Sequence, residues 1–455
     1  MILMFHESLY DKISNVKEVT TMRFILALLC AKTLATIGKL TGKGTNLPGD
    51  IALKIDKHLL GKISFSGKII AITGSNGKTS TTNMLTYILK EAGYQVVSNQ
   101  KGSNLTGGVA TTLLSKASLS GKVKADFVIL EVDERFSRLI FKDFSPDYLL
   151  CTNLFRDQLT RNGNVDVIID KLHEAIKPSV SLILNGNDPI SANLAPNNPR
   201  VYYRLNKTAL SSDVTTNITH DAKVCPLCLH RLDYHYYHYN HIGDYRCHNC
   251  GYQTPEAKYQ AEIIDLDAGT FEVNGQLTKT NFKSIFNIMN TTAAIVTACE
   301  LGLAINEVSK IVAGFNIMEQ RYNEFTINNR KAMMILSKNQ NPVSYDQSIE
   351  YLINIKEPKT VIVVVNNINH TYHKDTTWLY DIAFEKLVGH TDHVICCGER
   401  AYDLAVRLKL AGFNEQDLII KQKPEEIKAI LNDTKGMICF LTELYDAKAV
   451  IDAVK

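Results

Sequence analysis

The chain has 455 residues, of which 45% are hydrophobic and 21% are charged, and its formal net charge is +3 at pH 7. This composition is typical of a globular protein with enough apolar residues for two to four domains. A charge this close to neutrality argues against a nucleic-acid partner, since such partners favour strongly basic proteins. Six of the ten cysteines are scattered, mostly in apolar runs, which predicts reduced thiols and a cytoplasmic location.

The N-terminal segment, residues 1–42, joins a polar extension to an apolar stretch that begins at Met22. The apolar run is short, and Lys32 and Lys39 interrupt it, so a signal peptide is disfavoured. We expect a helix that docks on the protein or lies at an interface, and no transmembrane segment.

Residues 69–82 combine an apolar run, a turn bracketed by two glycines and the start of a helix. Glycines let backbone N–H groups approach phosphate oxygens, and a helix N-terminus adds positive potential. Lys78 is expected to contact the terminal phosphates of a nucleotide, and the Thr79 hydroxyl to bind Mg²⁺. The spacing is not that of the common Walker A loop, because Ile72 stands where that loop has its first glycine. The predicted nucleotide-binding residues of this loop are Gly74, Asn76, Gly77, Lys78, Thr79 and Ser80.

An apolar run from Phe127 ends in the acids Glu131, Asp133 and Glu134. Carboxylates at the C-terminal end of a strand face the ligand side of an open α/β sheet. Mg²⁺ prefers carboxylate and phosphate oxygens, so Glu131 is predicted to be a magnesium ligand and a catalytic residue. A run of solvated loop acids is the alternative, and the sequence leaves this choice open for Asp133 and Glu134.

Two Cys-x-x-Cys pairs, Cys225/Cys228 and Cys247/Cys250, are separated by 18 residues, which is the spacing of a four-cysteine zinc ribbon. Four thiolates complete a tetrahedral Zn²⁺ shell and leave no open position for catalysis, so a structural zinc is predicted. Disulfides, a redox pair and a catalytic zinc are the alternatives. Residues 234–241 alternate like a hairpin, and their histidines are possible rival ligands.

The C-terminal part of the chain alternates apolar runs with helical stretches. The runs at 332–336, 360–365, 393–397 and 436–441 predict a second, mostly parallel sheet.

Several motifs resemble those of the Mur ligases, the ATP-dependent amide-forming enzymes of peptidoglycan synthesis. Thr73-Gly-Ser-Asn-Gly-Lys-Thr-Ser80 resembles their nucleotide loop. The ribbon, the segment around Asp157-Gln158 and the blocks at 373–385 and 397–408 resemble the MurT branch, the ATP-using subunit of lipid II isoglutaminyl synthase. The resemblance covers nearly all of residues 40–455. It departs at Gln158, Asn187 and Gln320, where the family has a histidine, an acid and a glycine.

The resemblance implies a fold and further site residues. It implies a Mur-ligase-like P-loop ATPase domain over 43–320 with the ribbon inserted at 221–254, and a smaller Rossmann-like α/β domain over 321–455. Asn287 and Asn290, which lie three apart on one predicted helix face, are expected to contact adenine, a plain polar face being the alternative. Arg321 is expected to point at the nucleotide.

The resemblance also implies an activity, namely ATP-dependent amidation of the D-glutamate α-carboxyl of the lipid II stem peptide to D-isoglutamine through an acyl phosphate. ATP, Mg²⁺ and a structural Zn²⁺ are the expected cofactors. The expected partner is a GatD-like glutaminase that forms a heterodimer with this chain and supplies ammonia. The reaction is expected at the inner face of the cell membrane, on a lipid-linked substrate. Fewer than 70 residues precede the predicted strand that leads into the phosphate loop, which leaves no room for a uridine-nucleotide domain.

Asp375 is predicted to serve that partner. A glutaminase cysteine needs a histidine base, which a carboxylate orients, and in the MurT family the ligase subunit is thought to supply this carboxylate. Asp375 follows the predicted strand 360–365, and Asp381 is the second choice. The alternative is that Asp375 only caps a predicted helical run over 378–387.

Two rival functions are considered for the whole chain. One is an amino-acid-adding Mur or folylpolyglutamate-type ligase, against which the ribbon and the Asp375-Thr-Thr-Trp378 block argue. The other is a non-catalytic scaffold that binds ATP, which the three departures from the family motifs keep open.

Overall fold

The computed structural model describes residues 21–38, 45–99, 103–158, 162–315, 322–366, 375–444 and 446–454. The chain forms two compact units. The first comprises Met1–Leu154, Ile168–Asn206 and Pro255–Phe315, and the second comprises Phe155–Val167, Lys207–Thr254 and Asn316–Lys455. The predicted domain boundaries at 42/43 and 320/321, and the predicted ribbon limits of 221–254, remain predictions. By its contacts the ribbon segment is grouped with the second unit.

The elements are numbered here in chain order. Up to residue 205 they are α1 (Thr21–Gly38), α2 (Leu47–Ile55), β1 (Ser64–Phe65), β2 (Lys68–Thr73), α3 (Lys78–Glu91), β3 (Val96–Ser98), α4 (Thr106–Lys116), β4 (Lys122–Val123), β5 (Phe127–Glu131), α5 (Ser137–Ile140), β6 (Tyr148–Cys151), α6 (Val165–Ala175), β7 (Ser181–Asn185), α7 (Pro189–Ala192) and β8 (Arg200–Leu205). Next come β9 (Asp233–Tyr239), β10 (Ile242–Arg246), β11 (Tyr259–Asp265), β12 (Thr270–Val273), β13 (Gln276–Lys279), α8 (Ile285–Glu300) and α9 (Ile305–Val312).

The first unit is built on a nine-stranded sheet with the order β13-β12-β11-β8-β7-β6-β2-β5-β3. Its strands pair in parallel from β11 to β3, and β12 and β13 close one edge as an antiparallel meander. β2 and β5 are almost continuous apolar runs because both faces of a parallel sheet are covered. β2 lies between β5 and β6, so the segments that follow these three strands meet at one edge of the sheet.

The second unit has a six-stranded sheet with the order β14-β15-β19-β16-β17-β18. Only the β14–β15 pair is antiparallel. The predicted α/β class with mostly parallel sheets is therefore confirmed. The elements of this part of the chain are β14 (Tyr322–Ile327), β15 (Arg330–Ser337), α10 (Pro342–Asn354), β16 (Lys359–Val364), β17 (His393–Cys397), α11 (Ala401–Leu410), β18 (Leu418–Lys421), α12 (Ile427–Ile430), β19 (Met437–Glu443) and α13 (Ala447–Val454).

The ribbon segment lies in sequence between β8 and β11, which are adjacent parallel strands of the nine-stranded sheet. Its β9 and β10 form an antiparallel hairpin, as the alternation of residues 234–241 predicts. Tyrosine and histidine rings line this hairpin, and the Tyr234 and Tyr237 rings stack with centroids 4.3 Å apart.

The helix α1 is long and apolar enough, by length and composition, to cross a membrane. In the structure 28% of its residues are buried inside the protein, so it packs on the first unit along one face only. The same length and composition also suit a docked helix. The structure therefore agrees with a docked helix, while a position at an interface stays a prediction.

A buried acid at the end of β19 makes the second sheet sensitive to pH. Burial raises the pKa of Glu443 to about 8, although a 2.8 Å hydrogen bond from the backbone N–H of Gln340 acts in the opposite direction. Because the folded state keeps its proton where the unfolded chain has already lost it, stability falls as pH rises from about 4.5 to about 8.

We expect Glu443→Gln to remove this loss, since a neutral amide keeps an acceptor for Gln340. Between pH 5 and pH 8 the unchanged chain should lose about 3 kcal/mol more unfolding free energy than the variant. Urea titrations across this range measure the difference. The control is Glu415→Gln, at an exposed carboxylate whose pKa a hydrogen bond from Lys409 lowers. Parallel pH profiles for the chain with and without Glu443→Gln would contradict the prediction.

Candidate functional site

The turn after β2 has the backbone geometry of a phosphate-binding loop. Gly74 and Gly77 have φ angles of +128° and +85°, which residues with a side chain rarely adopt. A β-carbon added to Gly77 would lie 2.2 Å from Asn290 Oδ1, so Gly77 is also required by close packing against α8. The helix α3 then begins at Lys78, and its first turn contains Thr79 and Ser80.

The end of β6 holds this loop in place. The Ser75 N–H donates to the Asn153 carbonyl at 2.8 Å, and the Asn76 N–H donates to Asn153 Oδ1 at 2.9 Å. The Thr152 hydroxyl donates to the Asn76 carbonyl at 2.7 Å. Thr152 and Asn153 therefore fix the path of the loop, while the side-chain amide of Asn76 is buried with neither polar atom hydrogen-bonded among the described residues.

Lys78 is buried and forms an ion pair with Glu134, an acid whose role the sequence left open. Its Nζ lies 2.6 Å from Glu134 Oε1 and also donates to the Gly74 carbonyl. Burial acts to lower the pKa of Lys78, but the carboxylates of Glu134, Asp133 and Glu131 outweigh it and raise that pKa. The Gly74 N–H donates to the same Glu134 oxygen at 3.0 Å. Glu134 thus takes up the two donors, a lysine and a loop N–H, that a nucleotide phosphate would use.

Glu131 presents a buried carboxylate beside this pair. Its Oε1 accepts a 2.9 Å hydrogen bond from Asn104 Nδ2, and its backbone is held by the side chain of Asn99. Its Oε2 is buried and has no hydrogen-bond partner in the described part of the chain. A buried carboxylate oxygen without a partner is costly, and a cation supplies what it lacks. The donor set therefore fits Mg²⁺ with Glu131 as one ligand.

Three further residues are predicted to contact the nucleotide: Asn287, Asn290 and Arg321. Asn290 lies against Gly77 of the phosphate loop, whereas Asn287, one helical turn earlier, is partly exposed. Their contact with adenine remains a prediction. Arg321 lies outside the described residues.

Two of the three departures from the family motifs have local structural roles. Asn187 is fully buried, accepts from the Leu205 N–H at 2.7 Å and donates to the Leu205 carbonyl at 3.2 Å. An ionised carboxylate could accept from this N–H but could not donate to the carbonyl, so the amide of Asn187 suits the position better than an ionised acid. Gln158 has a φ angle of +46° and donates to the Asn339 carbonyl at 3.1 Å. Gln320 lies outside the described residues.

The four ribbon cysteines form a single cluster. Their sulfur atoms all lie within 4.8 Å of one another, with Cys225–Cys250 at 3.5 Å and Cys228–Cys247 at 3.4 Å. These separations are too long for disulfides, whose sulfurs lie about 2.05 Å apart. They are close to the edge of about 3.8 Å expected for a tetrahedron with Zn–S bonds of about 2.3 Å.

Both halves of the cluster have the same backbone geometry. The Cys225 N–H donates to the His230 carbonyl, and the Cys247 N–H donates to the carbonyl of Tyr252. The residue after each second cysteine, Leu229 or Gly251, has a positive φ angle. The cluster therefore fits a structural zinc, and among the described residues no other group of three or more His, Cys, Asp or Glu side chains is placed to hold a metal. The hairpin histidines are not part of it.

Asp375 makes the local contacts of a capping residue. Its Oδ1 accepts from the Thr377 N–H at 2.9 Å, and its Oδ2 accepts from the Thr377 hydroxyl at 2.6 Å. The helical run predicted over 378–387 is wrong, because two short 3₁₀ helices, Thr377–Asp381 and Phe384–Leu387, occupy it. Asp375 remains accessible, so capping and service to a partner are compatible.

The carboxylate of Asp381, the second candidate, contacts an arginine of the same unit. Its Oδ1 lies 3.3 Å from Arg156 Nη1, and Arg156 also pairs with the buried Asp221 at 2.5 Å. The Asp381 carbonyl accepts from the Thr219 hydroxyl at 3.0 Å. No local pattern in the sequence indicates this network, which ties the first 3₁₀ helix to two other segments of the second unit and leaves Asp375 with fewer contacts than Asp381.

Known families match most of the chain. The Mur ligase middle domain matches residues 72–298, and the family described as MurT ligase C-terminal matches residues 336–446. The MurT subunit of a glutamine-hydrolysing lipid II isoglutaminyl synthase from Staphylococcus aureus (strain COL) is 31% identical over 418 residues, covering 90% of this chain and 92% of the relative. Its namesake from Streptococcus pneumoniae (strain R6) is 28% identical, covering 94% and 95% of the two chains.

A solved structure is also similar. The pseudomurein peptide ligase type C from Methanothermus fervidus superposes with a TM-score of 0.67 at 21% identity, covering 88% of this chain and 81% of that one. At this identity the likeness shows the fold alone, and it confirms the predicted Mur-ligase-like architecture. The matches to the two MurT relatives cover 92% and 95% of those proteins. The C-terminal family model matches residues 336–446 of this chain. The chain therefore belongs to the MurT family.

Proposed function

We propose that this chain is the ATP-using subunit of a lipid II isoglutaminyl synthase. The observation that carries the proposal is the match to MurT subunits over about nine-tenths of both chains. The Mur ligase middle domain implies ATP and Mg²⁺, and the phosphate loop, Lys78 and Glu131 support their binding in the first unit. The acceptor is the D-glutamate α-carboxyl of a lipid-linked stem peptide at the inner face of the cell membrane.

The proposed reaction has two steps. A carboxylate oxygen of the acceptor attacks the γ-phosphorus of ATP, so ADP leaves and an acyl phosphate forms. Ammonia then attacks the acyl carbon, phosphate leaves, and an amide remains after loss of a proton. Lys78 stabilises the charge on the transferred phosphoryl group, while Thr79 and Glu131 would hold Mg²⁺, which neutralises phosphate charge when bound.

The ion pair between Glu134 and Lys78 has to open before the first step can begin. Lys78 cannot serve both Glu134 and a terminal phosphate with the same donor, so nucleotide binding replaces the 2.6 Å contact between them. The backbone of Glu134 is itself held, because the Ser137 hydroxyl donates to the Glu134 carbonyl at 2.7 Å, so the proposed exchange moves only the side chain. Glu134 then holds the loop lysine in position until a phosphate takes its place.

The nitrogen comes from a partner subunit, as the name of the relatives implies. We assign this partner as a GatD-like glutaminase, and Asp375 as the carboxylate that orients its catalytic histidine. The accessibility of Asp375, and the commitment of Asp381 to Arg156, support this choice. The ribbon cysteines bind a structural zinc that stabilises the second unit.

The loop lysine gives the first prediction. Lys78→Ala alone would leave Glu134 buried without its partner, at a cost of about 3–5 kcal/mol in stability. The double variant Lys78→Met, Glu134→Gln removes both charges and should fold, yet lose at least about a hundredfold in ammonium-driven, ATP-dependent amidation.

The control is Lys258→Ala, which breaks an ion pair of the same 2.6 Å length in the same unit, between the exposed Lys258 and the largely buried Glu300. It should keep most of the activity, because Glu300 retains the hydrogen bond from the Tyr259 hydroxyl and neither residue belongs to the phosphate loop. Near-normal activity of the folded double variant would remove Lys78 from the proposed site.

The ribbon gives the second prediction. Metal analysis should find one zinc per chain, and Cys228→Ser with Cys250→Ser should lose it together with several kcal/mol of stability, because metal binding to such a site is folding free energy. The control is Cys299→Ser, at a thiol outside the cluster. A zinc-free chain of unchanged thermal stability would contradict the prediction.

Asp375 gives the third prediction. In the complex with the glutaminase, Asp375→Asn should abolish glutamine-driven amidation and leave ammonium-driven amidation intact. Thr377→Val removes the hydroxyl that donates to Asp375 Oδ2 but keeps the backbone N–H and the carboxylate, so it should cost about 1 kcal/mol of stability or less and keep both activities. Asp381→Asn should also keep glutamine-driven activity. Full glutamine-driven activity in Asp375→Asn would leave this residue as a cap only.

A further inference from the structure

The helix α1 is apolar on two opposite faces. One face is buried in the first unit, by Phe24, Ala27, Leu28, Ala31 and Ala35. The other face is exposed, and its large apolar residues follow helical spacing: Met22, Ile25, Leu26, Leu29 and Ile37. Leu26 is 59% exposed and Leu29 is 47% exposed. A helix that is apolar all round normally has both faces covered, so the exposed face calls for an occupant.

The position of α1 on the first unit is fixed at two points. Near its start, the Phe24 ring closes on Gly121, where an added β-carbon would lie 2.7 Å from the ring. Further along, Lys32 Nζ donates to the Ser115 carbonyl at 3.4 Å. The helix therefore runs beside residues 115–121, and because one face is packed on protein, α1 in this position does not span a membrane.

The neighbouring segment, residues 115–124, carries positive charge and a further exposed leucine. It leaves α4, turns tightly between Ser118 and Gly121, where the Gly121 N–H donates to the Ser118 carbonyl at 2.9 Å, and continues into β4. Leu119, inside this turn, is 64% exposed. Three exposed lysines lie in the segment: Lys116, Lys122 and Lys124.

All the charged residues of α1 and of residues 115–124 are positive. Residues 21–38 and 115–124 contain Arg23, Lys32 and the three lysines, and no aspartate or glutamate. Exposed leucines beside cations, without acids, match the boundary of an anionic bilayer, where acyl chains lie beneath negative headgroups. A bilayer accounts for the apolar face and the positive charge together, whereas a protein partner would need an acidic surface beside an apolar one at the same place.

We propose that α1 and residues 115–124, together the helix–turn surface, bind an anionic lipid bilayer with the helix axis in the membrane plane. Met22, Ile25, Leu26, Leu29 and Leu119 enter the boundary between headgroups and acyl chains, and the lysines remain among the phosphates. The inference deepens the proposed function, because it brings the first unit to the surface where a lipid-linked acceptor lies. The binding itself requires no acceptor and no ATP.

The test is co-sedimentation of the full chain with vesicles that contain no acceptor. At low salt the chain should sediment with phosphatidylcholine vesicles containing one quarter phosphatidylglycerol. It should sediment far less with pure phosphatidylcholine, and high salt should release it from the mixed vesicles. Leu26→Glu with Leu29→Glu should weaken binding at least tenfold, and Lys122→Glu with Lys124→Glu should weaken it about fivefold or more for each lysine.

The matched control is Ile264→Glu with Leu277→Glu, a pair of leucine-sized side chains of similar exposure, each 55%, on β11 and β13 of the same unit. Circular dichroism and thermal unfolding confirm that each variant is folded. Control binding equal to that of the unchanged chain supports the proposal. Failure of the unchanged chain to bind anionic vesicles, equal binding by the Leu26→Glu, Leu29→Glu variant, or binding independent of lipid charge would overturn it.

A separate assay distinguishes this inference from the proposed function. Ammonium-driven amidation of a detergent-solubilised, lipid-linked acceptor should be the same for the unchanged chain and for Leu26→Glu, Leu29→Glu, because neither residue belongs to the ATP site. Absence of that activity in both would refute the proposed function and leave the vesicle result standing. Loss in the variant alone would contradict the assignment of these residues to membrane binding.

Discussion

The buried ion pair of Lys78 and Glu134 is the interaction on which the candidate ATP site depends. Taking two charges out of water is costly, and the pair is tolerable only because the loop carbonyl of Gly74 and its N–H complete the hydrogen bonds of the two groups. The contact fixes the direction of the lysine before any phosphate arrives. Under the proposed function, a nucleotide would meet a preorganised donor set and exchange one anion for another, rather than assembling the site from mobile side chains.

Side-chain amides supply most of the remaining order at the C-terminal edge of the first sheet. Asn153 holds the phosphate loop, Asn99 holds the end of β5, and Asn187 holds the end of β8. Strand ends leave backbone donors and acceptors without ladder partners, and an amide can satisfy one of each. This explains how the chain keeps the family architecture while replacing an acid at position 187. It also weakens the scaffold interpretation, since the substitution has a structural cause.

The second unit is organised by different means. The ribbon cysteines close a compact cluster, and Arg156 bridges Asp221 of the ribbon segment and Asp381 of the first 3₁₀ helix. Asp346, whose pKa burial raises to about 6, accepts from the Ala383 N–H and from Asn217. These polar contacts hold the 3₁₀ segments in place where the chain forms no regular helix, so the ribbon supports the element that begins beside Asp375.

The sequence by itself determined the α/β class, the phosphate loop and the four-cysteine ribbon. Each is encoded locally: apolar runs read as buried parallel strands, glycines permit positive φ angles, and paired cysteines need only a short hairpin between them. The sequence left Glu134 undecided, although its place after an apolar strand was a usable signal, because charge alone does not separate a solvated acid from a buried one. It also mistook residues 378–387 for a helix, since side-chain pattern does not report the contacts that favour 3₁₀ turns. Only the tertiary structure decided which acid pairs with Lys78, which of Asp375 and Asp381 is held by an arginine, and which face of α1 is exposed. Those outcomes depend on contacts between residues far apart in the chain, and no local pattern specifies them.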